Sequence, residues 1–263
     1  MQITDIVIYP VKACRGIQVD RAQVTRRGLK SDRRWMLVDA DGHFLTQRTQ
    51  PRLALVSTAI DRATLVLRAP DAPELRRPLV LTEGKTRSVV VWEDRCDALV
   101  DASASGWFSE YLGIDCEAVF MPESSRRAVD PKYSQADDIV SFADGYPLLV
   151  ATEASLRDLS ARVGTPMSME RFRPNLVVDG DEPYAEDHWT ALEAEAMRFR
   201  AVKRCSRCKV TTIDPATGAA GKEPLRTLAT YRTIDSKVYF GMNLIPDGEG
   251  EIRRGETCRP VVG

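Results

Sequence analysis

The sequence predicts a mainly β fold with some helices, of the α+β class. The first hundred of its 263 residues alternate short β-branched and apolar runs with turn-forming residues. Such regular strand spacing favours a barrel or a sandwich. Two later stretches instead show the helical spacing of apolar residues. A chain of this length buries roughly 70–75% of its unfolded surface, so it needs no disulfides to fold.

The strand predictions begin with residues 3–8, a β-branched run that stops before Pro10. Residues 35–38 and 44–47 flank a hairpin turn, in which Gly42 supplies positive φ. Further strands are predicted over residues 53–60, 64–67, 88–92, 176–178, 197–201, 209–213 and 238–240.

Helices are predicted over residues 103–112 and from Thr152 to Gly164. Thr152 is a typical N-cap, and Gly164 suits the left-handed position after the last turn. The polar stretch 122–138 predicts a long surface loop. We therefore place a domain boundary near residue 120, which gives domains 1–120 and 121–263.

Charge and cysteine usage narrow the class of protein. The formal net charge is −1, which gives no electrostatic case for binding nucleic acid or an anionic membrane. No window approaches 18 uncharged apolar residues, and the first residues lack an export signal, so a cytoplasmic location is expected. In a reducing compartment the six cysteines are expected to be free thiols. Two histidines leave little material for a histidine-based metal site.

The segment Cys205-Ser206-Arg207-Cys208 is the first candidate for chemistry. A dithiol switch is disfavoured, because the following β-branched run predicts a strand, on which positions three apart face opposite ways. A four-thiolate zinc site would need a second C-x-x-C pair, which the sequence does not contain. A single functional thiolate at Cys208, favoured by nearby cations, and two inert structural thiols both remain open.

Cations also stand beside turns at three other places. Lys12 follows the first strand, and the run 28–35, with Lys30, Arg33 and Arg34, enters the hairpin. Arg173 precedes a proline, which predicts an extended backbone there. Arginine can hold a phosphate bidentately and lysine adds a point charge, so together they could form an anion-binding site. Taken singly, each could equally be a solvated surface cation.

Several runs together resemble one family. IYPVKACRGI, GLKSDRRWMLVD, FLTQRTQPRLALV, FRPNLVV, YAEDHW and CSRCKVTTIDPATG are similar, in this order, to proteins with a MOSC N-terminal β-barrel domain followed by a MOSC domain. The later runs KEPLRTLATYR and YFGMNL also fit, so the resemblance extends over nearly the whole chain. Within the family, the chain looks most like the mitochondrial amidoxime-reducing components and their bacterial relatives. The resemblance implies a MOSC-type β-barrel preceded by a β-rich N-terminal domain.

The resemblance also implies a molybdenum cofactor, Mo-molybdopterin, with a cysteine of the protein as a further sulfur ligand. The family's ligand position falls on Cys208, which would be both metal ligand and catalytic residue. The cofactor-binding positions fall on the following residues: Lys12, Arg33, Thr152, Arg173, Asn175 and Ser206. One departure is Ala13, which stands where the family's P-V-K motif usually continues with serine.

The implied activity is the two-electron reduction of small N-hydroxylated or N-oxygenated compounds. No plant-type ferredoxin motif follows the MOSC region, so electrons are expected from a separate ferredoxin, flavodoxin or cytochrome-type protein. The alternative is a carrier of molybdenum cofactor, or of sulfur held on Cys208, without turnover of its own. A weaker third possibility is a binding module that has lost the cofactor.

Overall fold

Nineteen strands and three α-helices make up the regular structure of the computed structural model, which describes residues 1–195 and 197–263. This content confirms the mainly β prediction. The strands of the first half are β1 (Ile3–Ile8), β2 (Ile17–Val19), β3 (Arg21–Thr25), β4 (Gly28–Leu29), β5 (Trp35–Val38), β6 (Ser57–Asp61), β7 (Thr64–Arg68), β8 (Leu75–Pro78), β9 (Lys85–Val91), β10 (Asp94–Asp101) and β11 (Glu117–Phe120). Those of the second half are β12 (Leu148–Thr152), β13 (Leu176–Val178), β14 (Trp189–Ala194), β15 (Met197–Arg207), β16 (Thr233–Ile234), β17 (Lys237–Pro246), β18 (Gly250–Arg253) and β19 (Cys258–Val262). The helices are α1 (Ala102–Leu112), α2 (Glu153–Val163) and α3 (Leu225–Ala229).

The largest sheet joins the two halves of the chain. Its strands follow the order β19-β14-β15-β17-β12-β13-β1-β2, with β16 paired to β17. β1 runs antiparallel to β13, where Ile6 pairs with Leu176, while β12 and β13 are parallel. β18 and β3 also pair, in a separate three-stranded sheet. Residues near the start of the chain therefore lie beside residues more than 160 positions later.

The remaining sheets belong to the first half. β5, β11, β10 and β9 form a four-stranded sheet, and β6, β7 and β8 form a three-stranded one. Helix α1 packs between them through the buried side chains of Trp107, Phe108 and Tyr111. A separate core covers the nine-stranded sheet and includes Trp189 and Phe199. The predicted boundary near residue 120 stays a prediction, and the sheets themselves do not divide there.

The caps of α2 agree with the sequence prediction. The Thr152 hydroxyl accepts a hydrogen bond from the Ser155 amide at 3.1 Å, and Gly164 ends the helix with φ of 81°. The α1 prediction is confirmed within one residue, with Asp101 as its N-cap. No helix in residues 1–195 and 197–263 is long and apolar enough to span a membrane.

One strand prediction was wrong and two others were wrong in part. Residues 209–213 form no strand: Lys209–Thr212 is a 3₁₀ turn, because the Thr211 and Thr212 hydroxyls donate to the carbonyls of Cys208 and Lys209. Residues 53–60 begin in another 3₁₀ turn, Pro51–Leu55, and extended structure starts only with β6. Proline favours the first position of such a turn because its φ is already fixed. The predicted strand 44–47 is reduced to one bridge, between Phe44 and Val38. Gly42 has φ of 83°, as the hairpin prediction requires.

Candidate functional site

A cleft with about 920 Å³ of free space lies between the two halves of the chain. Its walls come from the turns at 12–13 and 46–48, the loop 143–146, the start of β12, the segment 172–175 and the end of β15. Six of the seven predicted site residues line it: Lys12, Arg33, Arg173, Asn175, Ser206 and Cys208. Among the described residues, five cationic side chains and one carboxylate, Asp144, line the cleft. The cleft therefore favours an anionic group.

Lys12 lies on a turn that follows β1 and is 7% exposed. Its ammonium donates to the Phe142 carbonyl at 2.7 Å and to Asp144 Oδ1 at 2.5 Å. Burial lowers the pKa of Lys12 to about 8, although Asp144 acts in the opposite direction. The Asp144 side chain is 73% exposed, so solvent screens this pair and the buried ammonium is only partly compensated.

We expect the cofactor-free protein to gain stability relative to a Lys12→Met variant as the pH rises from about 8 towards 10.5. The pKa of Lys12 is about 8 in the folded chain, against 10.5 for an unperturbed lysine side chain. In this window the unfolded chain still holds a proton that the folded chain has lost, so the free energy of unfolding increases with pH. The full effect is about 3 kcal/mol. Urea unfolding of both proteins at pH 7.5 and 10 measures it, and parallel pH dependences would contradict the prediction.

A buried network holds Arg33 in place. Its Nη1 donates to Asp32 Oδ2 at 2.6 Å and to Asn175 Oδ1 at 2.9 Å, and its Nη2 donates to the Arg173 carbonyl at 3.1 Å. Asn175 is 1% exposed and also donates to the Val7 carbonyl at 3.1 Å. Asn175 therefore ties β1 to the segment that precedes β13, and it fixes the position of the Arg33 guanidinium.

Arg173 differs from Arg33 because one nitrogen of its guanidinium lacks a hydrogen-bond partner among the described residues. Its Nη2 is buried and makes no hydrogen bond within the part of the chain that the structure describes. The Arg173 and Arg33 guanidinium carbons lie 4.3 and 4.2 Å from the centre of the Tyr9 ring. Burial lowers the pKa of Arg173. The extended backbone predicted for Arg173 was wrong, because its φ is 56°. Two guanidiniums thus share one aromatic ring, and the buried Asp32 carboxylate pairs with that of Arg33.

The Cys205–Cys208 segment covers the end of β15 and the first residue beyond it. The pairing of β15 with β17 shifts register between Arg204 and Ser206, and Cys208 precedes the 3₁₀ turn. The exposure of the four residues follows the predicted alternation, since Cys205 and Arg207 are half-buried whereas Ser206 and Cys208 are exposed. All four residues nevertheless line the same cleft. Cys208 is exposed, and Arg48 Nη1 lies 3.9 Å from its sulfur.

Cys205 has a different environment. It is half-buried, and its sulfur accepts a hydrogen bond from Arg207 Nη1 at 2.9 Å. Arg207 also donates to the Phe172 carbonyl at 2.6 Å, and its Nε is buried without a partner. Among the described residues, Arg48 from a distant turn has its Nη1 3.9 Å from the Cys208 sulfur, whereas Arg207, adjacent in sequence, donates to the Cys205 sulfur. Sequence reasoning missed Arg48, and its only signal was its place in the run FLTQRTQPRLALV.

Thr152 is the predicted site residue that does not line the cleft. It is 1% exposed, and its hydroxyl bonds with Glu186 Oε2 at 3.1 Å while it caps α2. The Ser155 hydroxyl donates to the same carboxylate, whose pKa is raised by burial. The geometry thus gives the Thr152 hydroxyl a role in a buried polar network.

We expect Thr152→Val to lower the free energy of unfolding by about 1–3 kcal/mol. Valine keeps the shape of the side chain but removes both the cap and the bond to the buried Glu186 carboxylate. Thr152→Ser, which keeps the hydroxyl, is the matched control and should lose less. Denaturant unfolding measures both variants. Loss of cofactor from Thr152→Val at unchanged stability would instead favour a direct contact with the cofactor.

The donor groups fit an anionic cofactor with a soft metal. Arg173 Nη2 and Arg207 Nε are buried donors without partners, and a phosphate could accept bonds from such guanidiniums. The exposed Cys208 thiol offers the type of ligand that soft metal sites prefer. Ala13, whose φ is 71°, also lines the cleft, and its side chain offers no hydroxyl to a ligand.

Comparisons with known proteins agree with this arrangement. The MOSC N-terminal beta barrel domain matches residues 1–115, and the MOSC domain matches residues 137–259. The chain is 36% identical to mitochondrial amidoxime reducing component 2 of Homo sapiens, over 99% of this chain and 83% of that protein. It is 34% identical to component 2 of Bos taurus, with the same coverage. Component 1 of Homo sapiens is 32% identical, over 97% of this chain and 81% of that protein. These matches confirm the resemblance drawn from the sequence.

Proposed function

Because the chain belongs to the MOSC family and carries both the N-terminal β-barrel domain and the MOSC domain, we propose that it is a molybdenum cofactor-dependent reductase of N-hydroxylated and N-oxygenated compounds. The observation that carries the proposal is the exposed Cys208 thiol in a cleft where Arg173 Nη2 and Arg207 Nε are buried without hydrogen-bond partners among the described residues. The relatives named amidoxime reducing components support the same chemistry.

The proposal gives each residue of the candidate site a role. Arg173, Arg33 and Lys12 would bind the cofactor phosphate, with Asn175 holding Arg33 in position. Cys208 would ligate the metal, and the exposed Ser206 would contact the pterin. When bound, the cofactor supplies the two-electron chemistry that removes oxygen from an N–O bond. The protein's own contribution is to bind and orient the reactants and to leave one side of Cys208 open to solvent.

We propose that the electrons come from a separate redox protein. The word component in the names of the relatives is consistent with activity shared among proteins. The expected location in the cytoplasm stays a prediction. Thr152, which lies in the network with Ser155 and Glu186, would support the site through the position of β12 rather than through direct contact.

The test is molybdenum per chain, measured by elemental mass spectrometry on protein from a host that makes the cofactor. Near-stoichiometric metal, with turnover of an amidoxime by an artificial electron donor, would support the reductase. Metal without turnover, released stoichiometrically to an apoenzyme, would favour a carrier, a role that the exposure of Cys208 also allows. Absence of metal, while a known molybdoenzyme prepared alongside retains its own, would contradict both and leave the cofactor-free binding module.

A further inference from the structure

Trp92 occupies an unusual position for a large aromatic residue. Its side chain is 50% exposed, whereas the other three tryptophans of the chain are buried. It is the first of two residues in the turn between β9 and β10, where Val91 pairs with Asp94. Its φ is 58°, and hairpin turns with positive φ at this position favour glycine or asparagine. Neither the fold nor the turn therefore requires tryptophan here.

Trp92 contacts Arg48, a residue that lines the cleft. The Arg48 guanidinium carbon lies 4.6 Å from the centre of the Trp92 ring, and the Phe44 ring meets Trp92 edge-on at 5.2 Å. Arg48 lines the cleft, and its Nη1 is the atom that lies 3.9 Å from Cys208 Sγ. One guanidinium thus connects an exposed aromatic ring with the thiol of the proposed metal ligand. We call Phe44, Arg48 and Trp92 the rim platform.

The rim platform has the chemistry of a surface for flat, uncharged molecules. Aromatic faces and the planar arginine fork both stack on planar groups. The excess of cations in the cleft disfavours a positively charged ligand. A ring stacked on the platform would lie beside Arg48, and a polar group attached to that ring could reach towards Cys208.

We propose that the rim platform binds the aromatic ring of uncharged aromatic N-hydroxy amidines and so makes the site selective for them over aliphatic ones. The proposal rests on the reductase function proposed above and specifies its substrate class. Phe44, Arg48 and Trp92 are binding residues in it, and Cys208 remains the only residue given a role at the metal.

The kinetic test compares benzamidoxime with acetamidoxime, which carries a methyl group in place of the ring, in the holoenzyme. In Trp92→Leu, the ratio of kcat/KM for the two compounds should fall about fivefold to tenfold, the size of one aromatic contact, and mainly through the KM of benzamidoxime. Glu93→Gln, in the same turn, is the matched control and should keep the wild-type ratio. An unchanged ratio in Trp92→Leu would overturn the proposal.

A second variant separates binding from folding. Trp92→Gly suits the positive φ of the turn, so its melting temperature should be no lower than that of Trp92→Leu. It should nevertheless show the same loss of selectivity. If Trp92→Gly unfolded at a markedly lower temperature and kept the wild-type ratio of kcat/KM, the ring would have only a structural role, and the proposal would be wrong.

Direct binding gives a readout that does not depend on turnover. Because Trp92 is the exposed tryptophan, benzamidoxime should quench the tryptophan fluorescence of wild-type protein, loaded or cofactor-free, and acetamidoxime should not. Equal quenching in Trp92→Leu would contradict the platform. Failure of wild type to reduce either compound would count against the reductase alone, and fluorescence would still decide whether the platform binds the ring.

Discussion

Replacing Cys208 with alanine should remove molybdenum from the chain and lower N-reductive turnover by more than about 100-fold. A loss of about 100-fold is the upper range for removing a residue that hydrogen-bonds to a metal ligand. Removal of the ligand itself should lower metal affinity and turnover further. Cys208 is exposed in the cleft beside Arg48, so alanine there leaves no buried cavity and the fold should survive. The measurements are metal content, turnover with an artificial donor and circular dichroism.

Cys205→Ala is the matched control for that experiment. Cys205 lines the same cleft, but its sulfur accepts a hydrogen bond from Arg207, and the side chain is half-buried. We expect this variant to keep its molybdenum and most of its turnover. If Cys205→Ala lost the metal and Cys208→Ala kept it, the roles of the two cysteines would be reversed.

Replacing Arg173 with methionine should change cofactor retention and protein stability in opposite directions. Molybdenum per chain should fall at least about tenfold, because a charge-assisted phosphate contact is lost. The free energy of unfolding of the cofactor-free protein should rise by about 1–2 kcal/mol, since methionine removes a buried cation with an unpaired Nη2. Elemental analysis and urea unfolding measure the two effects on the same preparations.

Arg171→Met, two residues away in the sequence, is the matched control for Arg173→Met. Arg171 pairs with Asp214 at 2.6 Å and donates to the Ile213 carbonyl at 3.0 Å, and it is not among the residues that line the candidate cleft. Its loss should lower the free energy of unfolding by about 1–3 kcal/mol and leave the metal content unchanged. A fall in stability for both variants would show that Arg173 is a structural residue and would remove the strongest argument for an anion at that position.

Local signals in the sequence predicted the elements whose determinants are local. Thr152 and Gly164 delimit α2 because a cap and a left-handed glycine act within one turn of the helix. Residues 209–213 were misassigned because β-branched composition favours a strand, whereas the hydroxyls of Thr211 and Thr212 bond back to nearby carbonyls. The pairing of β1 with β13 joins segments far apart in sequence, and no local signal indicates it.

In the candidate site, too, the sequence predicted residues that carry a local signal but not the contacts that depend on tertiary packing. Cations beside turns and the C-x-x-C segment are visible in the sequence, whereas the family resemblance was needed to assign Arg33, Asn175 and Ser206, and all of these residues line the cleft. The missing partner of Arg173, the proximity of Arg48 to Cys208 and the stacking of Trp92 on Arg48 depend on tertiary packing. The assignment of Thr152 to the cofactor rests on resemblance and stays a prediction, and the bond of its hydroxyl with the buried Glu186 carboxylate also depends on tertiary packing.

The pairing of β1 with β13 has a consequence for how the protein is made. During synthesis, Lys12 and Arg33 leave the ribosome long before Arg173 and Cys208, so the cleft does not exist on a growing chain. Strand pairs this distant in sequence form slowly, because the loop between them must close first. The unpaired edge of β1 stays exposed meanwhile, which is the feature that leads nascent sheets to aggregate. The proposed cofactor would therefore enter only a chain that is nearly complete, because the residues that line the cleft run from Lys12 to Asn243.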